Sequence, residues 1–420
     1  MSGRSGERES VRGPATTFIG LVLRLRLVPR VVLVATTCAS PDDAGYSAVR
    51  DSAGITIVES AAPAWTQDGG WRIVEPPELS IGVVDGPPEQ QLYRVSGVLR
   101  LHDGRILIAN AGSFQLRYYD AGGNHLRSVG AEGDGPGEFR GSIRLYRYGA
   151  DSLVTYDTRL RRFSVFSIDG EFARSVPMPE AGSAGSPLPF GMFADGSVFL
   201  RTSRTYTTGA LTEGRHIETS TLLRLPLDGS PAVPIGEFPA REMFFTVLPG
   251  GLATMTAVPF ERRLATAVHE NRLFVGVGER FEIDVRGADG GLERVIRIDR
   301  ANPPLPRSLL DTTIAQRVAG LPNDARQNLA AQLAAVAPPT IPPYLDFWAD
   351  RAGNLWVTPY LSLYGTDRLL WTVIDPQGRW LGDVLWIERF IPYEIGDDWI
   401  LGRRLDSLDI ERIELYRILK

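Results

Sequence analysis

The chain has 420 residues, of which 43% are hydrophobic, and its formal net charge is −5. The 44 glycines and 30 prolines favour a fold with many turns over one built from long helices. A mildly acidic chain of mixed charge, without a nucleic-acid-binding motif, is not typical of a nucleic-acid-binding protein. Because Cys38 is the single cysteine, the chain cannot form an internal disulfide.

The first 38 residues have the order of an export signal. Arginine residues up to Arg30 precede a short apolar run, and small residues lead through Cys38 into a polar segment. A cysteine at this junction resembles the lipidation site of a bacterial lipoprotein; a general export signal and a disordered leader are the alternatives. We predict that residues 1–38 direct export, that residues 39–53 are a linker, and that Cys38 is lipidated. No apolar run reaches the roughly 18 residues that span a bilayer, so this lipid would be the only membrane attachment.

Residues 98–130 contain three short apolar runs separated by turn residues. The runs at 105–109, 115–119 and 125–129 are joined by connections rich in aspartate and glycine, a pattern typical of antiparallel hairpins. The glycine-rich turn VGAEGDGPGEF follows, and a degraded copy of it, IGVVDGPPE, precedes the unit. A recurring turn followed by strand-like runs indicates a repeat protein.

A second unit and four weaker copies follow, beginning at Asp151, Phe193, Glu270, Ala349 and Asp397. Six units of about four strands, with a period of about 45 residues, predict an all-β, six-bladed β-propeller. The sixth unit is one strand short, and strand-like runs at 54–59 and 71–81 precede the first. We therefore predict that an N-terminal strand completes the last blade and that residues 54–420 form the closed ring.

Residues 305–343 interrupt the strand pattern. Leu310, Ile314 and Val318 have helical spacing, and a second set of apolar residues ending at Val336 has it as well. Prolines then return the chain to strand. We predict a helical hairpin inserted between blades four and five, which either covers a blade edge or forms a lid or partner surface.

Three segments carry a resemblance to a known family: VLRLHDGRILIAN and LRYYDAGGNHLRSVG within 98–130, and GAEGDGPGEF at 130–139. They resemble the bacterial six-bladed β-propellers related to the NHL-repeat group. The resemblance implies the fold and agrees with export, since many such proteins are exported or lipid-anchored. It does not imply a reaction, because propellers include lactonases, lyases and binding modules.

Propeller lactonases hold a divalent ion with oxygen ligands from several blades. The repeat alignment shows whether equivalent positions of this chain could form such a ring of ligands. The equivalent positions at the end of each second strand are Asn110, Asp157, Thr202, Val277, Pro359 and Arg404. Only the first two readily offer an oxygen ligand, whereas Ca²⁺ takes about six to eight. The four histidines (His102, His125, His216 and His269) share no ring position, and no nucleophile motif occurs. We predict no metal or other cofactor, and we assign no catalytic residue.

Basic residues recur in the loops that follow second strands. If these loops face one mouth of the ring, they form a rim there. The candidate ligand-binding residues of this rim are two polar residues and four arginines: Asn110, Asp157, Arg159, Arg161, Arg201 and Arg404. A cationic rim suits a carboxylate or an anionic glycan, and ordinary solvated loop charge is the alternative.

The sequence therefore predicts an exported, monomeric binding module of the cell envelope. Its partner would be a small molecule, a glycan or an envelope protein, and not a nucleic acid. The alternative is a metal-dependent hydrolase of the lactonase type, and a third hypothesis is a structural subunit that uses the helical insertion.

Overall fold

The computed structural model describes residues 46–66, 69–180, 185–203, 211–364 and 369–420. Cys38 and the predicted export signal lie outside these ranges. In the described part of the chain the strands form six sheets, accompanied by two α-helices. The protein is all-β, and its repeated four-stranded sheets are consistent with a β-propeller.

Three strands precede the first complete sheet: β1 (Ser47–Ser52), β2 (Ile55–Ser60) and β3 (Arg72–Ile81). β1 and β2 form a hairpin whose two loop residues, Ala53 and Gly54, both have positive φ. This is the backbone conformation that a two-residue hairpin loop requires.

The next eight strands form two sheets in which each strand pairs with the one before it in the chain. Sheet I consists of β4 (Val95–Arg100), β5 (Ile106–Asn110), β6 (Gln115–Tyr119) and β7 (His125–Val129). Sheet II consists of β8 (Ile143–Tyr148), β9 (Ser152–Asp157), β10 (Arg162–Ser167) and β11 (Phe172–Pro177). Every residue of β5 is buried whereas β7 is mostly exposed, so burial falls from the second strand to the fourth.

Sheet III has five strands, two of them unusually long. It consists of β12 (Ser186–Met192), β13 (Val198–Ser203), β14 (Gly214–Leu225), β15 (Val233–Leu248) and β16 (Leu252–Ala257). Sheet IV consists of β17 (Ala265–His269), β18 (Arg272–Gly276), β19 (Glu282–Gly287) and β20 (Leu292–Ile298). β2 pairs in parallel with β20, so the N-terminal hairpin adds two strands to sheet IV.

Two helices follow in the chain, α1 (Arg307–Val318) and α2 (Asn323–Val336). They begin directly after Pro306 and Pro322, and Pro338 lies just beyond the end of α2. Proline suits these positions because it lacks the N–H that a helix interior needs. The buried helix residues pack against β15 and the segment after β16, around Phe244 and Phe260. The helices therefore cover sheet III at β15 and at the segment that follows β16.

The last two sheets complete the chain. Sheet V consists of β21 (Asp346–Ala349), β22 (Leu355–Thr358), β23 (Leu370–Ile374) and β24 (Trp380–Leu385). Sheet VI consists of β25 (Phe390–Ile395), β26 (Trp399–Leu405), β27 (Glu411–Leu419) and the N-terminal strand β3. β3 pairs antiparallel with β27, from Ile413 opposite Ile81 to Leu419 opposite Arg72. The run at 71–81 thus joins the last sheet, whereas the run at 54–59 joins sheet IV.

Aspartate side chains stabilise many of the hairpin turns. In the turn between β6 and β7, Asp120 Oδ1 accepts hydrogen bonds from the N–H groups of Gly122 and Asn124 at 2.9 and 2.8 Å. Asp350 and Asp375 make the same bonds to the residues two and four positions on. An aspartate that satisfies the backbone of its own turn explains why Asp-x-x-Gly sequences recur at these sites.

The hydrophobic core is divided into clusters between successive sheets. One cluster joins sheets I and II around Tyr118 and Phe166. Further clusters join II to III, III to IV, IV to V, V to VI, and VI back to I. The contacts between the sheets therefore form a closed series.

The first strands of the sheets lie side by side: β8 contacts β4 and β12, β17 contacts β12 and β21, and β25 contacts β4. We call β4, β8, β12, β17, β21 and β25 the inner strands. Ser96 and Ile143 meet near the starts of β4 and β8, and Arg147 and Glu394 meet near the ends of β8 and β25. β4, β8 and β25 therefore run in one direction. β12 and β17 share a direction as well, because Ala194 and Glu270 meet just beyond their ends. We call the side on which the inner strands begin the start face.

Candidate functional site

Asn110 stabilises the backbone at the end of β5. Its Oδ1 accepts a hydrogen bond from the N–H of Tyr93 at 2.8 Å, and its Nδ2 donates to Ser113 Oγ at 2.8 Å. The side chain is 2% exposed. Asn110 thus fastens the segment that enters sheet I to the loop that follows β5.

Asp157 has the equivalent position in sheet II and a similar role. Its carboxylate accepts four backbone hydrogen bonds, from Arg140 and Gly141 at 2.7 and 2.9 Å and from Arg159 and Leu160 at 2.8 Å each. A carboxylate that accepts four N–H donors has little capacity left for a metal ion. The ring of positions equivalent to Asn110 therefore does not fit a divalent cation, and the described residues contain no group of three potential metal ligands.

The predicted arginines lie in different surroundings. Arg159 and Arg161 are exposed, and within the described ranges neither guanidinium makes a hydrogen bond or an ion pair. Arg404, on β26, donates from Nη1 to Tyr416 Oη at 3.3 Å, and its Nη1 lies 3.8 Å from Glu414 Oε2. Arg201 lies on β13 beside the inner strands. Arg201 and Arg404 pair with Leu188 and Phe390, near the starts of the inner strands β12 and β25. Arg159 and Arg161 follow β9, whose last residue pairs with the first residue of β8. All four arginines therefore lie toward the side on which the inner strands begin, and their role in ligand binding remains a prediction.

An exposed aromatic side chain, Phe190, lies on the inner strand β12. A bulge between Pro189 and Gly191 leaves Phe190 without a cross-strand partner, and its side chain is 40% exposed. Similar bulges in β4 and β25 present Ser96 and Tyr393, whose hydroxyls hydrogen-bond to the neighbouring inner strand. β-bulges often redirect a side chain next to a functional site, and Phe190 has no such bond to make.

Two arginines stack on the Phe190 ring. The Cζ atoms of Arg144 and Arg201 lie 5.2 and 4.4 Å from its centroid, within the range of a cation–π interaction. Arg144 Nη1 also donates to the Pro189 carbonyl at 2.6 Å, and Arg201 Nη1 to Thr266 Oγ1 at 3.3 Å. Among the described residues, no carboxylate lies within ion-pair distance of either guanidinium.

The charge of Arg201 is poorly compensated. Burial lowers the pKa of Arg201, and the nearby positive charges of Arg263 and Arg144 add to this effect against the opposing charge of Asp346. Arg263 Nε is itself paired with Glu261 Oε1 at 3.0 Å. We call Arg144, Arg201 and Arg263 the arginine group. A partly desolvated guanidinium without a carboxylate partner favours the binding of an anion.

Asp346, the first residue of β21, lies beside the arginine group and is partly buried. Burial raises the pKa of Asp346 above its ordinary value of 3.8, and the N–H of Phe347 and the charge of Arg201 offset this only in part. The carboxyl group is therefore easier to protonate than an exposed aspartate, and its neutral form can donate a hydrogen bond.

Asp346 also lines a cleft of about 560 Å³ between the inner strands β21 and β25. Most of its walls are apolar, and we call it the tryptophan cleft after Trp348, Trp371 and Trp386. The rings of Trp371 and Trp386 are stacked, with centroids 3.7 Å apart. A mostly apolar cleft with a few polar groups is the usual form of a small-molecule site.

Thr358, at the end of β22, places an unsatisfied polar group in the wall of the tryptophan cleft. The residue is 5% exposed, and its hydroxyl has no hydrogen-bond partner among the described residues. Since a buried hydroxyl without a partner costs about 1–3 kcal/mol, an enclosed water molecule that bonds to it is favoured.

A charged cluster around Glu394 lies at the opposite ends of the inner strands. Glu394 Oε1 accepts hydrogen bonds from Arg147 and Arg351 at 2.8 Å each, and Oε2 accepts one from the N–H of Arg100 at 2.8 Å. The guanidinium groups of Arg100 and Arg351 lie 5.0 and 4.9 Å from the centroid of Trp399. This cluster connects sheets I, II, V and VI, and its hydrogen bonds indicate a structural role.

Sequence reasoning found one member of the site and missed the rest. Arg201 was predicted to lie in the loop after a second strand, and the structure corrects this: Arg201 lies within β13, paired with Leu188 of β12. Arg144, Phe190, Asp346 and Thr358 were not predicted, because residues from four sheets come together here. The Pro-Phe-Gly sequence at 189–191 is the available signal, since proline and glycine within a strand often mark a bulge.

The helices offer no membrane-spanning element: none in the described ranges is both long and apolar enough to cross a bilayer. No family model and no curated protein matches the sequence.

Several solved structures are similar at low identity. A protein described as exported from Bacteroides fragilis is 12% identical, with a TM-score of 0.44 over 87% of this chain and 100% of that chain. A member of the DUF4221 family from Bacteroides vulgatus is 11% identical, with a TM-score of 0.49 over 83% and 99%. A gluconolactonase from Xanthomonas campestris is 14% identical, with a TM-score of 0.40 over 83% and 100%. Similarities at this level carry no argument about the ligand or the reaction of this chain.

Proposed function

We propose that the protein is an exported six-bladed β-propeller that binds an anionic ligand at its start face. In this proposal the six sheets are the blades, β3 closes the ring over residues 54–420, and α1 and α2 are an insertion between blades four and five. The observation that carries the proposal is the arginine group, in which Arg144 and Arg201 flank the exposed ring of Phe190 without a carboxylate partner.

The arrangement favours recognition of an anion for two reasons. The guanidinium groups are held in place before a ligand arrives, because each stacks on Phe190 and donates a hydrogen bond to sheet III or sheet IV. Hydrogen bonds between charged groups contribute about 1.5–3 kcal/mol each, more than neutral ones. An anion that accepts bonds from both arginines would therefore bind without a large cost of ordering the site.

Export and attachment to the envelope belong to the same proposal. The order of arginines, apolar run, small residues and Cys38 supports an export signal, with lipidation of Cys38 as the attachment. The ligand would then be a small molecule or an anionic glycan outside the cytoplasm, and the protein would act as a monomer. Lipidation can be tested by mass spectrometry of the protein recovered from a bacterial envelope.

Binding can be tested with purified protein comprising residues 39–420. Isothermal titration calorimetry with citrate, glucuronate and phosphate is expected to detect at least one of these anions. The variants Arg144→Gln and Arg201→Gln should each weaken that binding at least tenfold, while Arg72→Gln, an exposed position on β3 away from the start face, serves as the matched control. Failure of all three anions to bind, or equal losses in Arg72→Gln and Arg201→Gln, would count against the proposal.

A metal-dependent hydrolase remains the alternative. It would need convergent carboxylate and amide ligands, whereas Asn110 and Asp157 already bind the backbone and the start face carries arginines. No specific observation favours the hydrolase.

A further inference from the structure

We infer that the tryptophan cleft holds the ring of the ligand whose anionic group binds the arginine group, so that the ligand is a carboxylic acid with a planar or alicyclic apolar ring. This inference rests on the proposed function and names the chemical class of its ligand. It requires that one molecule can reach both the arginine group and the tryptophan cleft.

Asp346 connects the two parts of the site. Its side chain lines the tryptophan cleft, and its strand, β21, contacts β17, where Thr266 accepts a hydrogen bond from Arg201 at 3.3 Å. The charges of Arg201 and Arg263 also act on the Asp346 carboxyl group. The cleft and the arginine group therefore lie on two sides of one residue at the start of β21. A ligand with its carboxylate at Arg201 can extend its ring past Asp346 into the cleft.

The cleft suits a ring in size and in surface. Its volume of about 560 Å³ falls within the roughly 300–1,000 Å³ of small-molecule sites. Trp348 and Trp371 line it together with the apolar side chains of Phe390 and Ile391. Flat aromatic surfaces pack well against planar rings.

The charge of the site favours a singly charged carboxylate over a more highly charged anion. Arg201 is a planar fork that matches a carboxylate, and Asp346 beside it would repel additional negative charge. In its neutral form, Asp346 can donate a hydrogen bond to a bound carboxylate. A dianion such as phosphate would lack a second unpaired arginine on the cleft side, where Arg389 is paired with Asp409.

The test compares ligands that differ only in the ring or only in the charge. Calorimetry of the protein comprising residues 39–420 would use 2-naphthoate, cyclohexanecarboxylate, acetate and the neutral 2-naphthalenemethanol. We expect 2-naphthoate to bind at least tenfold more tightly than acetate and than 2-naphthalenemethanol. Equal affinities for 2-naphthoate and acetate would overturn the inference while leaving anion binding intact.

A pair of matched variants locates the ring. Ile391 and Ile217 are exposed isoleucines on strands, but only Ile391 lines the cleft. Ile391→Trp should reduce the preference for 2-naphthoate over acetate at least fivefold by narrowing the opening, and Ile217→Trp should not change it. Circular dichroism would confirm that both variants fold. An unchanged preference in folded Ile391→Trp overturns the inference, whereas loss of both acids in Arg201→Gln with wild-type preference in Ile217→Trp supports it.

Discussion

The charged side chains of this protein differ in the groups that compensate their charge. Asp157 is surrounded by backbone N–H groups, and Glu394 by arginines and a backbone N–H. Such groups hold loops and sheets together. The Arg201 guanidinium contacts the ring of Phe190 and the hydroxyl of Thr266, so it retains the capacity to bind an anion.

Replacing Asp157 should destabilise the fold strongly. In Asp157→Ala the N–H groups of Arg140 and Gly141 lose their acceptor in a partly buried place, and we expect a loss of about 3 kcal/mol in the free energy of unfolding. Urea denaturation measures this loss. Asp169→Ala is the control, because Asp169 is exposed and its ion pair with Arg105 contributes less than about 1 kcal/mol. Equal losses in the two variants would show that the four hydrogen bonds matter little.

The stability of the fold should also depend on the protonation of Asp346. Burial raises the pKa of Asp346 in the folded state above 3.8, so stability falls as the pH rises from 3.8 through that raised pKa, and the full cost remains at higher pH. Asp346→Asn should therefore unfold at a higher temperature than wild type at neutral pH, and the difference should shrink as the pH falls towards 3.8. Arg201 and Arg263 oppose this effect, while Glu388 and Arg389 line the cleft nearby. A variant that is less stable than wild type at neutral pH would show that Asp346 is needed as an ion; Asp397→Asn is the exposed control.

Among the elements, the two helices depend on sheet III. Leu333 of α2 is fully buried in the cluster that includes Phe244 of β15. Leu333→Ala should lower stability by about 2–5 kcal/mol, the usual cost of such a cavity. Hydrogen exchange should then speed up in α1, α2 and the end of β15 before it does in the inner strands. The exposed Leu408→Ala is the control, and uniform acceleration in all sheets would contradict a local dependence.

Elements set by local chemistry could be predicted from the sequence, and elements set by distant contacts could not. The hairpin at 115–129 is predictable because Asp120 and its glycines determine the turn within a few residues. The attachment of β2 to β20 joins residues more than 200 positions apart, and no local pattern encodes it. The same holds for the candidate site. Arg201 lies next to Thr202, one of the repeat positions, whereas a bulge brings Phe190 to it and packing between sheets brings Asp346 to it.

For the whole molecule, closure of the ring by β3 should be essential. A variant that begins at residue 83 lacks β3 and exposes the edge of β27 together with the apolar residues that β3 covers. We expect this variant to aggregate or to lose cooperative unfolding, because an unpaired sheet edge is a site of association. That variant also lacks β1 and β2, so the control begins at residue 62, which removes β1 and β2 but keeps β3, and should remain monomeric by size-exclusion chromatography. Aggregation of both variants would indicate that the N-terminal hairpin is equally necessary.

The metal content of the whole protein distinguishes the proposed function from the hydrolase. Protein comprising residues 39–420, never exposed to chelator, should contain far less than one equivalent of Ca²⁺ or Zn²⁺ by plasma mass spectrometry. About one tightly bound equivalent of metal would favour the hydrolase over the binding protein. The metal would then need ligands other than Asn110 and Asp157.

The pairing of β3 with β27 also sets the moment during synthesis at which the molecule can be completed. Arg412 donates a hydrogen bond to the carbonyl of Gly82, which precedes it by 330 residues. β3 leaves the ribosome before any complete sheet and has no partner until β27 has been made, whereas the strands of sheets I and II can pair as they emerge. A chain that stalls before residue 411 therefore leaves β3 without its partner strand. A chaperone or a protease that binds unpaired strand edges can recognise such an unfinished molecule.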